Sequence, residues 1–394
     1  MMDQEQRQTE LVSEPDGRSW IEEIALFQFR NYLQFKLALD PRPVVLAGEN
    51  GAGKTNLLEA VSLLSPGQGL RRASTAELAN FQADGDWAVS ARVHGVLGEV
   101  QVGTGITGAA QSETLRRKIR IDGESQSSSI SLARSLQILW LTPQMDGLFT
   151  GSASERRRFL DRLTLVFNPE VRKQWNLFER AMRQRNKLLE VQEGTGPLLD
   201  GLEMQMAEHG VVVAASRMEA IDRLRDVIRQ ASDKESAFPF ATLLLEGRLE
   251  QALELDAAVD VEDEYRRILR NNRGLDRAAK RTMEGPHRTD LIVGHGPKER
   301  PARLCSTGEQ KALLTGLVLA QARLVHERAG GFAPLLLLDE IAAHFDEKRR
   351  CALFDEILKL QCQAWMTGTG PEAFTYLQET AQILTVEDGR IAPV

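Results

Sequence analysis

Two short stretches of this chain carry residue types that could handle a phosphate chain. The first, Gly48-Glu49-Asn50-Gly51-Ala52-Gly53-Lys54-Thr55, fits the spacing G-x-x-x-x-G-K-[ST]. Glycines let the backbone turn tightly, so consecutive N–H groups and the start of a following helix point at an anion. In that arrangement Lys54 reaches the β- and γ-phosphates and the Thr55 hydroxyl takes a position on Mg²⁺. The flanks agree. Val44-Val45-Leu46-Ala47 reads as a buried strand entering the loop, and Leu57, Leu58, Val61 and Leu64 share one helical face beyond it. Residues 48–55 are expected to bind a nucleoside triphosphate, with ATP and Mg²⁺ as cofactors.

The second stretch is Leu335-Leu336-Leu337-Leu338-Asp339-Glu340, preceded by Pro334. Consecutive leucines bounded by proline and acids suit a parallel strand buried on both faces. Its C-terminal end is where an open α/β sheet places its ligand. There Asp339 holds Mg²⁺ through water, and Glu340 orients and deprotonates a water attacking the γ-phosphate. A third feature, Ser306-Thr307-Gly308-Glu309, opens the helical run Ala312 to Leu324, with Ser306 as N-cap and Glu309 closing a capping box. A helix start with Ser306, Gly308 and free N–H groups is also an anion receptor.

Elements must position these residues, and the chain of 394 is long enough for two lobes. Residues 1–19 are polar and aperiodic, read as a flexible tail. Trp20 to Leu39 suggests two strands joined near Arg30-Asn31-Tyr32, and 87–122 suggests short antiparallel strands followed by a polar loop at Ser125 to Ser131. From Glu155 to about Gln230 the pattern is charged and 3.6-periodic, interrupted at Gly194 to Pro197; strand and turn signals return after Thr282. The expected organisation is a nucleotide head from 20–155 and 283–394, with a helical arm at 156–282.

Composition sets limits. Hydrophobic residues are 42% and charged residues 27%, with mean hydropathy −0.29, as in ordinary globular proteins. No apolar run approaches the ~20 residues of a membrane span, and no signal-peptide core is seen near the start. Cys305, Cys351 and Cys362 fit no metal or redox spacing, so a reduced, cytoplasmic setting is expected. The net charge of −7 counts against a uniformly basic nucleic-acid binder, so any DNA contact must come from local clusters. The densest is Arg266, Arg267, Arg270, Arg273, Arg277, Lys280 and Arg281, taken as the candidate DNA surface; Arg116-Arg117-Lys118 with Arg120, and Arg71-Arg72, read first as solvated edges.

The motifs together point to a family. Ser306 to Lys311 resembles an ABC-type signature, and Leu335 to Glu340 followed by Ala343-His344-Phe345-Asp346 resembles a Walker B strand and D-loop. Phe29-Arg30-Asn31-Tyr32, Arg156-Arg157-Arg158-Phe159-Leu160-Asp161, Gly285-Pro286-His287-Arg288-Thr289-Asp290 and Thr367-Gly368-Thr369 complete a set similar to the RecF family, bacterial recombination-mediator ATPases related to SMC proteins. The resemblance runs from about Trp20 to the C-terminus. It implies an α/β fold: an ABC-type P-loop ATPase head (lobe I) with an inserted helical arm (lobe II). It implies an ATP-dependent head-to-head homodimer in which Ser306 and Gly308 contact the γ-phosphate bound by the partner. Gln144 falls at the Q-loop, as a further Mg²⁺ position; Thr369 falls in the switch region, and His287 reads as a structural hydrogen-bonding residue.

The function implied is a slow Mg²⁺-dependent ATPase that binds DNA near single-strand gaps or junctions. With RecO and RecR it would help load RecA and support the SOS response, hydrolysis releasing the dimer. Two other readings stay open. One is a nucleotide-gated DNA scaffold without significant turnover. The other, the ATPase subunit of a membrane transporter, is disfavoured because a whole arm separates Lys54 from Ser306.

Overall fold

The structure, a computed structural model, describes residues 17–108, 116–190, 196–231, 237–341, 345–387 and 389–393. Nearly all of the expected tail, and Ala343-His344 of the expected D-loop, lie outside the described residues.

The chain opens with an antiparallel ribbon, β1 (Trp20–Phe29) and β2 (Tyr32–Ala38), turning at Arg30-Asn31. The apolar run Val44–Ala47 is β3, and Lys54–Ser62 is α1. Then β4 (Trp87–Gly95), β5 (Gly98–Ile106), β6 (Lys118–Ile121) and β7 (Glu124–Gln126) join the ribbon in an antiparallel sheet of order β2-β1-β4-β5-β6-β7. Part of the expected polar loop at 125–131 is thus an edge strand, followed by a 3-10 turn at Ser129–Ser131. The short α2 (Leu132–Ser135) leads into β8 (Ile138–Leu141). The arm segment holds α3 (Ala153–Phe167), α4 (Val171–Glu190), α5 (Gly196–Gln230), β9 (Ala241–Glu246), α6 (Arg248–Leu253), α7 (Ala258–Asn271) and α8 (Arg273–Ala279). The remainder is β10 (Asp290–His295), β11 (Arg300–Pro301), α9 (Thr307–Arg328), β12 (Leu335–Leu338), α10 (Glu347–Lys359), β13 (Ala364–Gly368), β14 (Gln382–Glu387) and β15 (Arg390–Pro393).

The central sheet runs β15-β14-β3-β13-β12-β8, parallel throughout except for β15. Strand β12 explains why it holds. Leu335 and Leu337 face a core shared with Leu46, Trp365, Trp87 and Val89, the last two from the antiparallel sheet. Leu336 and Leu338 face a second core with Val45, Met366, Leu313 of α9 and Phe354 of α10. Burying such a side chain stabilises by roughly 1.5–3 kcal/mol, and period-2 alternation divides the gain between two layers. The arm has a third core, where Phe178 on α4 meets Met206, Val211 and Ala214 on α5 and Tyr265 and Leu269 on α7.

One strand was hidden in the sequence. β9 lies inside the segment read as helical, and pairs antiparallel with β10, from Asp290↔Glu246 to His295↔Ala241. Ala241, Leu243 and Leu245 are buried while Leu244 is exposed, so the period-2 signal is blurred into a run of leucines. The expected boundary at 282/283 therefore runs between two strands of one sheet.

The basic segment 266–281 is also not the free surface that its composition suggests. Arg273 binds Asp200 at 2.6 Å and Glu203 at 2.5 Å, Arg270 binds Asp200 at 2.8 Å, and Arg277 Nε donates to the Leu189 carbonyl at 2.8 Å. Arg266 and Arg267 pair with Asp263 and Glu264 one helical turn earlier. Two of the acids that neutralise the segment, Asp200 and Glu203, sit on α5, far away in sequence, so a local charge count overstates its field. Beneath it, fully buried Arg185 bonds Glu203 at 3.0 Å, Asp276 at 2.7 Å, Thr282 Oγ1 at 3.1 Å and the Leu269 carbonyl at 2.6 Å. Removing one partner from such a network leaves buried charge uncompensated, which typically costs about 3–5 kcal/mol. Arg185→Met is expected to lower the unfolding free energy obtained from denaturant titration by that amount, and Arg267→Gln to leave it within about 0.5 kcal/mol. Equal free energies for the two variants would show that the network does not hold the arm.

Candidate functional site

The phosphate loop joins β3 to α1, and its glycines sit where side chains would not fit. A Cβ on Gly48 would lie 2.2 Å from the Val386 carbonyl oxygen, and one on Gly53 would lie 2.5 Å from the Asn31 amide nitrogen. Gly51 and Gly53 have φ of 88° and 111°, the left-handed region that favours glycine. The N-cap of α1 is Gly53, and no carboxylate occupies its first turn, so its N–H groups remain turned to an anion. Glu49, Asn50 and Ala52 complete the loop, with Ala52 N donating to Glu49 O at 3.3 Å and Gly389 N donating to Ala52 O at 3.0 Å. Lys54 folds back over it, its Nζ donating to Gly48 O at 2.5 Å and Glu49 O at 2.6 Å. Burial pushes the Lys54 ammonium pKa down, against the opposing pull of the Glu340 and Asp339 carboxylates.

Those carboxylates stand at the end of β12, two strands away in the sheet order β3-β13-β12. Asp339 N donates to Leu141 O at 2.9 Å, continuing the ladder to β8 for one more residue. Thr55 Oγ1 donates to Asp339 Oδ1 at 3.0 Å, so the two stretches separated by 284 positions meet directly. Two hard oxygen donors converge there at the start of a helix, a set that suits Mg²⁺.

The intervening strand β13 contributes a residue that the sequence reading named only as part of a motif and gave no role of its own. Thr367, fully buried, donates from Oγ1 to Asp339 Oδ1 at 2.9 Å and accepts from Glu340 N at 2.7 Å. Glu340 has φ of 51°, a left-handed conformation that costs a non-glycine residue roughly 1–2 kcal/mol. The Thr367 hydroxyl therefore holds both members of the acidic pair, one by its carboxylate and one by its backbone. Thr369, the residue expected in the switch region, is exposed. The usable signal was the position of Thr367 at the buried end of an apolar run, Ala364-Trp365-Met366, where an unpaired hydroxyl is expensive.

Gln144 lies on a 3-10 turn at Pro143–Met145, exposed, and among the described residues no hydrogen bond joins it to Thr55 or Asp339. Ser306 and Gly308 are exposed at the start of α9, with Ser306 N donating to Glu309 Oε2 at 2.9 Å. Lys298 and the Ser306 amide hold the Glu309 carboxyl down at about 2. No hydrogen bond among the described residues connects Ser306 or Gly308 to residues 48–55 of the same chain.

The remaining motifs form supports. Arg30 makes a two-pronged bond to Glu59 of α1 at 2.8 and 2.9 Å, and the Tyr32 hydroxyl donates to Gly53 O at 3.1 Å, which braces the loop from the β1–β2 turn. Arg156 grips Asp290 at 2.8 and 2.7 Å, Arg157 donates to Thr289 O at 2.9 Å, and Asp161 accepts from Arg217 at 3.0 Å, fastening α3 and α5 to the start of β10. His287 bonds the Thr282 carbonyl at 2.9 Å, and burial pushes its imidazole down to about 4, as suits a neutral structural residue. Arg117 is no solvated edge: its guanidinium donates to Gly67 O at 2.5 Å, to Thr104 Oγ1 at 2.6 Å and to Leu63 O, capping the C-terminal end of α1. Cys305 and Cys362 are buried and unpaired.

A strand, a glycine loop with a lysine, and an acidic pair within one hydrogen-bond network can bind a polyphosphate and hold a water beside it. Residues 20–392 match the family model for the RecF/RecN/SMC N-terminal domain. The DNA replication and repair protein RecF of Allorhizobium ampelinum is 50% identical over 375 residues, covering 95% of this chain and 99% of that relative. Two solved structures of the recombination mediator protein RecF in the RecFOR pathway, as RecF-ATPrS and RecF-ATP, share this fold with TM-scores of 0.83 and 0.81. Each is 22% identical in sequence and matches 96% of this chain, against 98% and 99% of its own length. The chain belongs to the RecF family of DNA replication and repair proteins, with an ABC-type head of the kind found in SMC proteins.

Proposed function

We propose that this chain is a Mg²⁺-dependent ATPase whose ATP-bound homodimer clamps DNA near single-strand gaps or junctions, and whose hydrolysis releases the clamp. The observation that carries the proposal is the junction of Thr55, Asp339 and Thr367, which brings the acidic pair to the start of α1, where Glu340 and Asp339 act on the charge of Lys54. Lys54, held by loop carbonyls here, exchanges them for β- and γ-phosphate oxygens. The N–H groups of 48–55 hold the phosphates in line. Thr55 and Asp339 hold Mg²⁺, which when bound offsets the charge that develops on the leaving phosphate oxygen. Glu340 accepts a proton from the water as its oxygen bonds to the γ-phosphorus and the bond to the β-phosphate oxygen breaks, leaving ADP and phosphate.

Ser306 and Gly308 are exposed at a helix start, a position from which a second copy's γ-phosphate can be met. This supports a head-to-head dimer with the nucleotide between chains, in which Gln144 reaches Mg²⁺ only on closure. The segment 156–282 serves as the arm, and β10, paired with β9, moves with it on closure. The names of the relatives, and the RecFOR setting of the solved RecF structures, support action with RecO and RecR in gap repair, including RecA loading and SOS induction.

Lys54→Ala removes a charge-assisted set of contacts worth about 1.5–3 kcal/mol, so nucleotide affinity is expected to fall about 10- to 100-fold with an unchanged melting temperature. Affinity near the parent value would remove the phosphate-loop assignment. Ser306→Arg should bind ATP as a monomer but fail to dimerise, whereas Glu340→Gln should give a long-lived ATP dimer without hydrolysis. Sedimentation with ATP separates these, and normal dimerisation of Ser306→Arg would refute the trans contact. Thr367→Val keeps the shape of the side chain but loses its hydroxyl. It should leave ATP affinity within about twofold and slow single-turnover hydrolysis about 10- to 100-fold, with Thr367→Ser restoring the rate. A Val variant that hydrolyses ATP at the parent rate would mean that Thr367 does not position the acidic pair.

A further inference from the structure

A crevice of about 950 Å³ lies away from the phosphate loop, between the segment that follows α1 (Pro66 to Arg72), the turn bearing Gln144, and the arm helices α3 and α4. Six arginines line it against three carboxylates, and those carboxylates are already engaged. Asp161 is held by Arg217 at 3.0 Å, Glu179 by Arg183 at 3.3 Å, and Glu155 by the Ser152 amide at 2.7 Å. The arginines are not satisfied in the same way. Among the described residues no carboxylate lies within ion-pair distance of Arg72, Arg157, Arg162 or Arg172.

Arg162 is the clearest case. Its guanidinium stacks 4.7 Å from the Trp140 ring and 5.4 Å from Phe159, and its only hydrogen-bond acceptor among the described residues is the Met145 sulfur at 3.6 Å. Burial, and the like charge of Arg72, push it down to about 10. A guanidinium is a five-donor fork made for oxyanions, and here two of them share a wall with no anion between. In the segment 266–281, by contrast, Arg266, Arg267, Arg270 and Arg273 each have a carboxylate partner.

We infer that this crevice is a phosphodiester-binding site that takes the backbone of a DNA strand, with Arg72, Arg162 and Arg172 as its phosphate contacts, joined by the exposed Arg158, whose pairing with Glu155 is long at 3.9 Å. It rests on the DNA-binding part of the proposed function and says where on the chain that binding occurs. The basic groups come from three separate segments, the loop after α1, α3 and α4, so a linear polyanion meets several at once where a single phosphate meets few. The crevice shares no lining residue with the phosphate loop or the Asp339-Glu340 pair, which separates it from the nucleotide site. Its wall includes Gln144 and Met145, and the next residue, Asp146, bonds Lys311 of α9 at 3.1 Å. A bound strand would thus rest on the turn that lies between the phosphate loop and the signature helix.

The test uses the full chain with ATP and Mg²⁺, a fluorescein-labelled gapped duplex, and binding by anisotropy across a salt series. Arg72→Gln, Arg158→Gln and Arg172→Gln combined removes three charges at exposed positions, so the fold should survive, as the melting temperature will show. Affinity is expected to fall about tenfold or more, and the slope of log K against log salt to flatten by about two to three, since each phosphate contact contributes about 0.9. Arg266→Gln with Arg267→Gln, on α7, is the control for a general loss of charge and should leave both quantities near the parent values. Parent-like binding by the crevice variant, or an equal loss in the control, would overturn the assignment. A labelled ATP analogue distinguishes the other source of phosphate: weakened nucleotide binding with unchanged DNA binding would mark a second nucleotide site and overturn the DNA assignment. If the parent chain itself binds no DNA, the DNA-clamp reading fails, which is a different result from failure of the crevice alone.

Discussion

The organisation of this chain depends on one constraint: the central sheet is covered on both faces. Leu335 and Leu337 are committed to one core and Leu336 and Leu338 to the other, so nothing polar can sit along β12 until it ends. Where it ends, Asp339 extends the ladder by one hydrogen bond to Leu141, and Glu340 turns out of the sheet in a left-handed conformation. β3 and β13 obey the same rule, with the phosphate loop at the end of one and Thr367 at the end of the other. Polar groups excluded from both faces collect along one edge of the sheet, and the site is that edge.

Hydroxyl groups then connect what the sheet has aligned. Asp339 Oδ1 accepts from Thr55 on one side and Thr367 on the other, so the carboxylate is oriented before any metal arrives. Preorganised polar groups need no rearrangement as charge develops, which is the main electrostatic advantage that an active site has over water. The left-handed turn at Glu340 is a strained feature held by a single backbone bond to Thr367. Strain of this kind is worth maintaining where it aims a functional side chain.

Arginine does much of the structural work in a chain with net charge −7. Arg30 braces α1 through Glu59, Arg117 caps the same helix, Arg156 and Arg217 fasten the arm to β10, and Arg185 and Arg273 close the arm's interior. Guanidinium suits these posts because its fixed fork satisfies several carbonyl or carboxylate oxygens at once. The consequence is that basic residues counted along the sequence are a poor guide to the electrostatic surface. Much of the densest run turned onto neighbouring acids and carbonyls, while Arg72, Arg157, Arg162 and Arg172, scattered over three segments, line one crevice with no carboxylate at ion-pair distance among the described residues.

The phosphate loop, the buried β12 and the acidic pair were legible in the sequence because each rests on local rules: glycine spacing, a continuous apolar run, a helix start. The antiparallel strands around Trp87 to Ile121, and the arm helices, were legible for the same reason, since period 2 and period 3.6 are properties of neighbouring residues. What depended on partners distant along the chain was not. β9 is a strand only because β10 pairs with it, and its exposed Leu244 concealed the alternation. Thr367 matters through contacts with Asp339 and Glu340, 28 and 27 positions away, and in isolation it is one threonine after an apolar run. Arg273 and Arg277 lost their apparent freedom to acids and carbonyls on α4 and α5 that no window of sequence brings near them. Residue type and spacing determined which chemistry was possible; which side chains are free to perform it was decided by tertiary contacts, because satisfaction of a charge or a hydroxyl is a property of what surrounds it in space.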